Sequence, residues 1–343
     1  MNIIYHLFDE QYVIKLFKDR VLPRYPDFKL IKNIEVQPHK KLIWDETYHV
    51  VLEFKTIFKT KSGKIKKLPI FCTAHSDEPR KNVYNGLKFL WDHGFSKGNL
   101  TIPHPLFYSN RFHATFYRGV KGKTLYQFIR QKNYYEIERV VARTAGWFAK
   151  LHGLPAENAK NFNKENSRVA TVIPGAKHIL SEMKEKYPRY YPAYRRIYEI
   201  VDGAERQFLN STKQRWLIHG DAHPENVIKI SEKKLAVIDF TDLCLADFAR
   251  DIGSFLQQLE FMIQRKINDQ EFINRVKTVF LENYFNSAKI KLDGSLKKRI
   301  DNYYNWTALR TATFFLLKDN EEPERAHGLL VRICEDMKLN CRV

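Results

Sequence analysis

Three short apolar runs, residues 216–218, 227–230 and 235–238, interrupt a long region of helical periodicity. The first leads straight into His219-Gly220-Asp221-Ala222-His223-Pro224-Glu225-Asn226, and the last into Asp239-Phe240-Thr241-Asp242. Runs of this length and composition read as buried strands, and a buried strand presents at its end whatever polar residues follow it. A small β island within a helical region, with a polar cluster at each of two strand ends, narrows the choice of fold to mixed architectures.

Upstream the texture differs. Residues 9–22 carry Val13, Leu16, Phe17 and Val21 at helical spacing behind Asp9, a good N-cap. Residues 28–36, 47–58 and 68–73 are rich in β-branched and aromatic side chains. Lys61-Ser62-Gly63-Lys64 reads as the hairpin turn between the last two. A helix is predicted from a second N-cap, Asp77, to Gly94, followed by a strand pair at 105–108 and 114–117. Gly119 and Gly122 mark a connector. Beyond it, residues 135–151 place Ile137, Val140, Val141, Ala145, Phe148 and Leu151 on one broad face. Further helices are predicted over 172–209, 248–264, 269–287, 293–317 and 324–338. The expectation is an α+β, two-lobed chain: a small antiparallel β-rich lobe over 1–118, and a larger, mainly helical lobe over 119–343.

With 343 residues, 44% of them hydrophobic and 14% aromatic, the chain can build a sizeable core without covalent staples. Cys72, Cys244, Cys334 and Cys341 are scattered with no Cys-x-x-Cys pair, so neither a metal cluster nor a disulfide framework is expected, and a reducing compartment fits. No uncharged apolar stretch approaches the ~20 residues of a membrane span. The apolar start, Ile3 to Phe8, is too short for a signal peptide and lacks a basic leader. A cytoplasmic protein is expected.

Asp221 and Asn226 stand five positions apart, and Asp239 lies eighteen beyond Asp221. In a protein kinase, the loop His-Arg-Asp-x-x-x-x-Asn supplies a base and a metal-binding amide at this spacing, and a following Asp-Phe-Gly supplies the second metal ligand. The residue types suit phosphoryl transfer. Mg²⁺ prefers hard oxygen donors, such as the carboxylate of Asp239 and the amide oxygen of Asn226. Asp221 would face the acceptor hydroxyl and receive its proton. An ordinary carboxylate is a weak base, which suffices when the transition state is loose and the proton leaves late. A rival reading, a metallophosphoesterase site opened by Asp221-Ala-His223, needs further Asp, Asn and His clusters such as Gly-Asn-His-Asp, and the sequence has none.

The run His219-Gly-Asp221-x-His223-x-x-Asn226, followed by Val237-Ile238-Asp239-Phe240, resembles the signature of the aminoglycoside phosphotransferase and choline kinase family. The stretch Ala149-Lys-Leu151-His152 resembles that family's helix before the catalytic segment, and the likeness extends over about residues 28–320. The resemblance implies a protein-kinase-like fold, ATP or GTP as donor, Mg²⁺ held by Asn226 and Asp239, and Asp221 as catalytic base. It places His223 near the transferred phosphate and His219 as a support of the loop. Asp251, in Phe248-Ala-Arg-Asp251-Ile-Gly253, matches the acid that braces the catalytic loop, and a plain N-cap accounts for it equally. The first lobe departs from the pattern. Thr73 stands where a kinase places a strand lysine, and only Glu78 begins the following helix. Lys55, on the adjacent strand, is a candidate substitute, and no Gly-rich phosphate loop precedes it.

Lys and Arg number 58 against 39 Asp and Glu, a formal charge of +19. Residues 29–67 alone hold ten lysines against Glu35, Asp45, Glu46 and Glu53. Such a field disfavours a polycationic acceptor and favours a neutral or anionic one. The leading expectation is a kinase for a hydroxyl on a small molecule. Two others stay open: a kinase of this fold acting on RNA or another macromolecule, and a nucleotide-binding protein without catalysis. For RNA, the aromatic and arginine-rich run from Tyr187 to Tyr198 is a candidate stacking surface, against an amphipathic helix with packed tyrosines. Trp306, with Tyr303 and Tyr304, is a candidate pocket lining, against plain core packing.

Overall fold

The computed structural model describes residues 2–341. Along the chain come α1 (Glu10–Arg20), β1 (Phe28–Ile43), β2 (Tyr48–Thr60), β3 (Ile65–His75) and α2 (Lys81–Leu90). Then follow β4 (Leu100–Thr101), β5 (His104–Ser109), β6 (Ala114–Arg118), β7 (Lys123–Thr124), α3 (Leu125–Arg130) and α4 (Tyr134–His152). After α5 (Ala176–Lys186) and α6 (Tyr191–Ser211) lie β8 (Trp216–Ile218), β9 (Val227–Lys229), β10 (Leu235–Val237) and β11 (Cys244–Ala246). Four helices close the order: α7 (Ala249–Gln264), α8 (Gln270–Ala288), α9 (Gly294–Leu317) and α10 (Pro323–Asp336). The chain divides into two compact units, residues 1–122 with 230–241, and residues 123–229 with 242–343.

The first unit is built on an antiparallel five-stranded sheet in the order β1-β2-β3-β6-β5. Alternation along β2 sends Tyr48, Val50, Leu52, Phe54 and Phe58 to one buried face. α1 covers that face: Phe17 meets Phe54 and Phe116 edge-on, at centroid distances of 5.2 and 6.1 Å. Asp9 caps α1 as its sequence position predicts, accepting from the Gln11 amide at 2.9 Å. β1 is an edge strand longer than the predicted 28–36, and it passes Pro38 through one of its register shifts.

Asp77 does not cap α2. Glu78 precedes Pro79, which disfavours helical backbone at Glu78, and the amides of Asp77 and Glu78 donate instead to His75 Nδ1 at 3.2 and 3.1 Å. The helix starts only at Lys81, so Glu78 falls outside it.

The second unit is helical around small strand pairs. The predicted apolar face of α4 is buried from Ile137 to Leu151. The helix predicted over 172–209 is two helices, broken around Pro188. β8 pairs antiparallel with β11, and β7 with β9. β10 belongs to the first unit, where its Leu235 pairs in parallel with Leu100 of β4. One expectation is corrected here. Cys334 and Cys341 form a disulfide, because the chain turns back after α10, with the Leu339 amide donating to the Cys334 carbonyl at 2.8 Å. No described helix is long and apolar enough to cross a membrane.

Candidate active site

β8 ends at Ile218, and the next two amides point into the side chain of Asp251 in the first turn of α7. His219 N donates to its Oδ2 at 2.7 Å and Gly220 N to its Oδ1 at 2.9 Å. Gly220 has φ +85°, and a Cβ there would collide with the carbonyl of Asp242, so only glycine makes this bend. Beyond the bend, the Asp221 amide donates to His219 Nδ1 at 3.3 Å.

His223 caps the short turn Pro224–Asn226, its Nδ1 accepting from the Glu225 amide at 3.3 Å. Nδ1 is therefore the unprotonated nitrogen, and Nε2–H is left to face Asp221 Oδ2 at 3.3 Å. Asn226 Nδ2 donates to the Asp221 carbonyl at 3.0 Å and to its Oδ2 at 3.3 Å. Desolvation alone would raise the Asp221 carboxyl. The hydrogen bond from His223, with the nearby His219 and the Asn226 amide, outweighs it and holds the group at about 2. Asp221 is thus an ionised, acceptor-only group at neutral pH, with 46% of its side-chain surface open.

Asp251 is buried and carries a third donor. His152, at the end of α4, gives Nε2–H to Asp251 Oδ2 at 3.1 Å, and its Nδ1 accepts from the Tyr284 hydroxyl at 2.9 Å. Burial would raise Asp251, but His152, His219 and the Gly220 amide hold it below the ordinary carboxylate range. Of the two readings of Asp251 made from the sequence, the N-cap is corrected: Phe248 holds that position, and Asp251 lies two residues inside the first turn of α7 with its carboxylate turned to the loop rather than to the helix's own amides. Tyr284 was not legible in advance, because nothing in α8 sets it apart from other packed aromatics.

Asp221, His223, Asn226, His219 and Asp251 are thus brought together within the second unit. Asp239 belongs to the first. It follows β10 in a left-handed conformation, φ 64°, which Asp tolerates better than most residues. Its Oδ1 accepts from the Thr241 amide at 3.3 Å and hydroxyl at 2.8 Å. Burial pushes the Tyr117 phenol up, and the nearby charge of Asp239 adds to that.

Asp221 and His223 open onto a cavity of about 350 Å³ in the second unit. α7 contributes Ser254, Gln258 and Phe261, spaced along one face, and α9 contributes Trp306, Arg310 and Phe314. Trp306 is thus both packed and pocket-lining. Tyr303 and Tyr304 do not line the cavity, and Tyr303 is buried with its hydroxyl on Glu205 at 3.2 Å. The run 187–198 takes the amphipathic form. Tyr190, Tyr194 and Tyr198 are buried, and Arg195 and Arg196 pair with Glu199 at 3.4 and 3.8 Å.

In the first unit Thr73 lies on β3 opposite Val51 and Thr115. Lys55 is exposed and held by its cross-strand partner Glu35 at 2.8 Å. The turn between β1 and β2 carries Asp45 and Glu46 and no glycine. Among the described residues no group of three His, Cys, Asp or Glu is arranged to hold a metal. Each unit does, by itself, present an oxygen donor of the kind Mg²⁺ prefers. The Asn226 nitrogen is engaged by Asp221, which leaves its Oδ1 for a cation, and Asp239 offers an exposed carboxylate.

The model of the phosphotransferase enzyme family (APH) matches residues 70–281. By sequence, no curated protein matches the chain. Among solved structures, an ethanolamine kinase of Plasmodium vivax is 13% identical, with a TM-score of 0.55 over 90% of this chain and 83% of its own. A choline/ethanolamine kinase family protein from Mesorhizobium loti is 13% identical, with a TM-score of 0.52 over 88% of each chain. The spectinomycin phosphotransferase APH(9)-Ia, solved with ADP and spectinomycin, is 12% identical, with a TM-score of 0.51 over 98% of this chain and 99% of its own. At such identities the likeness is one of fold: an antiparallel sheet region followed by a larger helical one, the protein-kinase-like arrangement.

Proposed function

The chain belongs to the phosphotransferase enzyme family, and from that premise we propose that it moves the terminal phosphate of ATP or GTP to a hydroxyl of a small molecule, with Asp221 as the base. The observation that carries this reading is the state of Asp221: ionised, hydrogen-bonded by His223 and Asn226, and open to a cavity of about 350 Å³. An acceptor hydroxyl in that cavity would donate to the carboxylate, which orients the oxygen for attack and takes the proton as the O–P bond forms. His223, whose Nε2–H faces Asp221 Oδ2, would stand beside the arriving phosphate. His219 and Asp251 would keep the loop in register.

Mg²⁺ would be held by Asn226 and Asp239, and when bound it supplies neutralisation of the phosphate charge. Residues 1–118 are assigned to nucleotide binding and 119–343 to catalysis and the acceptor. One observation favours a second reading, a nucleotide-binding protein without transfer: Thr73 replaces the strand lysine, and Glu78 lies outside α2. The deciding experiment is labelled-phosphate transfer from ATP and from GTP to a panel of hydroxylated metabolites. Wild type is expected to transfer, and Asp221→Asn to lose about a hundredfold or more of the rate. Equal transfer by the two proteins would remove Asp221 from its role. Nucleotide binding with no transfer to any acceptor would favour the second reading.

A further inference from the structure

The cavity beside Asp221 is polarised from end to end, and that polarity limits the acceptor. Its two carboxylates, Asp221 and Asp242, lie together at the catalytic loop, for Asp242 is the residue against which Gly220 packs. Asp242 is further engaged by the side-chain amide of Asn166. The opposite end belongs to Arg265, the residue that ends α7, where the helix dipole favours a cation. Its guanidinium lies over the Phe261 ring at 5.5 Å, is exposed, and has no carboxylate partner among the described residues. Arg310, the other cation of the wall, is engaged differently. It donates to the carbonyls of Ile173 at 2.7 Å and Pro174 at 3.2 Å, and so fixes the loop that forms one side of the cavity. Between the two ends the wall sets aromatic rings beside the polar side chains of Gln258, Thr307 and Thr311. Phe261 and Trp306 line it, and Phe314 and Ile173 each leave 60% of their surface exposed at its rim.

Length follows from the helix. Ser254 and Arg265 are eleven residues apart on α7, about 16 Å at 1.5 Å per residue. A side chain leaning back toward the N-terminus shortens the open gap to about 10 Å. Resting on Asp221 as the base, we propose that the acceptor is an elongated hydroxy compound with an apolar body and an anionic group at its far end, received by Arg265. An ammonium in that place would meet the Arg265 cation, so acceptors that end in an amine are excluded by the same contact.

The test uses three biphenyl probes of matched length, each with a 4'-hydroxymethyl group and carrying at position 4 a carboxylate, a carboxamide or an aminomethyl group. Their binding to the full chain is measured by calorimetry. The carboxylate is expected to bind about tenfold tighter than the amide, the size of one charge-assisted contact, and the ammonium weakest. Arg265→Gln should bring the carboxylate down to the amide and leave the other two unchanged, and Arg265→Glu should invert the order. The single-ring 4-(hydroxymethyl)benzoate, too short to span the gap, should not respond to Arg265. Equal affinities, tightest binding of the ammonium, no binding of any biphenyl probe, or a carboxylate preference that survives Arg265→Gln would each overturn the proposal. Asp221→Asn separates the two readings: it should lower transfer by about a hundredfold or more and keep the binding order. Transfer undiminished in that variant would remove the base and leave the order of affinities to stand or fall by itself.

Discussion

Three donors converge on the carboxylate of Asp251: the amides of His219 and Gly220 and the ring of His152. The group is 1% exposed, so no water replaces it. Removing it leaves two loop amides and a histidine without an acceptor, and Asp251→Ala is expected to cost roughly 3–5 kcal/mol of stability. Asp251→Asn should cost less, since its oxygen still serves one donor. Because the folded state holds this carboxyl below its ordinary range, the stabilisation is complete above that range and drains away as pH falls through the lowered value. Urea denaturation of wild type and Asp251→Asn should therefore show a constant gap between about pH 6 and 9, narrowing only in strong acid. A gap that widens on acidification, or an Asp251→Ala cost within about 1 kcal/mol, would contradict this account. The loop itself was legible in the sequence because residues 219–226 are contiguous and follow a recognisable strand. Tyr284 and Arg265 were not, since their neighbours are fixed by helix packing rather than by spacing along the chain.

At the scale of elements, the loop is placed by α7, and α7 is placed by α9. Gly253, two residues after Asp251, is the point of closest approach. A Cβ there would lie 2.6 Å from the Ile300 carbonyl oxygen and 2.7 Å from the Tyr304 nitrogen. Both are backbone atoms that cannot swing aside, so the two helices must part to admit a methyl group. Gly253→Ala is expected to destabilise by about 1–3 kcal/mol, against the slight gain alanine brings to an open helical position. Gly203, on α6 with nothing near its Cβ direction, is the matched control, and Gly203→Ala should stabilise by several tenths of a kcal/mol. Equal shifts for both in thermal melts would refute the close approach. Periodicity told the helices apart well, as α4 and α7–α10 show, because burial on one face writes itself into the sequence. The start of α2 was misplaced because Asp77 looked like a cap while the proline two residues later decided the matter. The pair Cys334–Cys341 was missed because a fold-back after α10 leaves no mark in cysteine spacing.

For the molecule as a whole, the net charge of +19 includes one dense basic patch in the first unit. The ten lysines between residues 29 and 67 are all exposed, on β1, β2, β3 and the turn between the last two. A surface of this kind attracts any anion, and attraction alone does not make a macromolecular acceptor. The two acceptor classes differ in how they respond to salt. A polyanion that contacts six to ten lysines releases as many counterions, and its binding falls about a thousandfold or more between 50 and 200 mM salt. A small acceptor held in the cavity by one ion pair and an apolar body loses only the screened part of one charge, about threefold or less over the same range. We expect the second behaviour: KM for the acceptor should rise by no more than about threefold from 50 to 200 mM KCl, with kcat unchanged. Total RNA, offered in the same assay, should accept no label at either salt. Labelled RNA at 50 mM KCl that disappears at 200 mM would instead make the lysine-rich sheet a docking surface and the cavity a secondary feature.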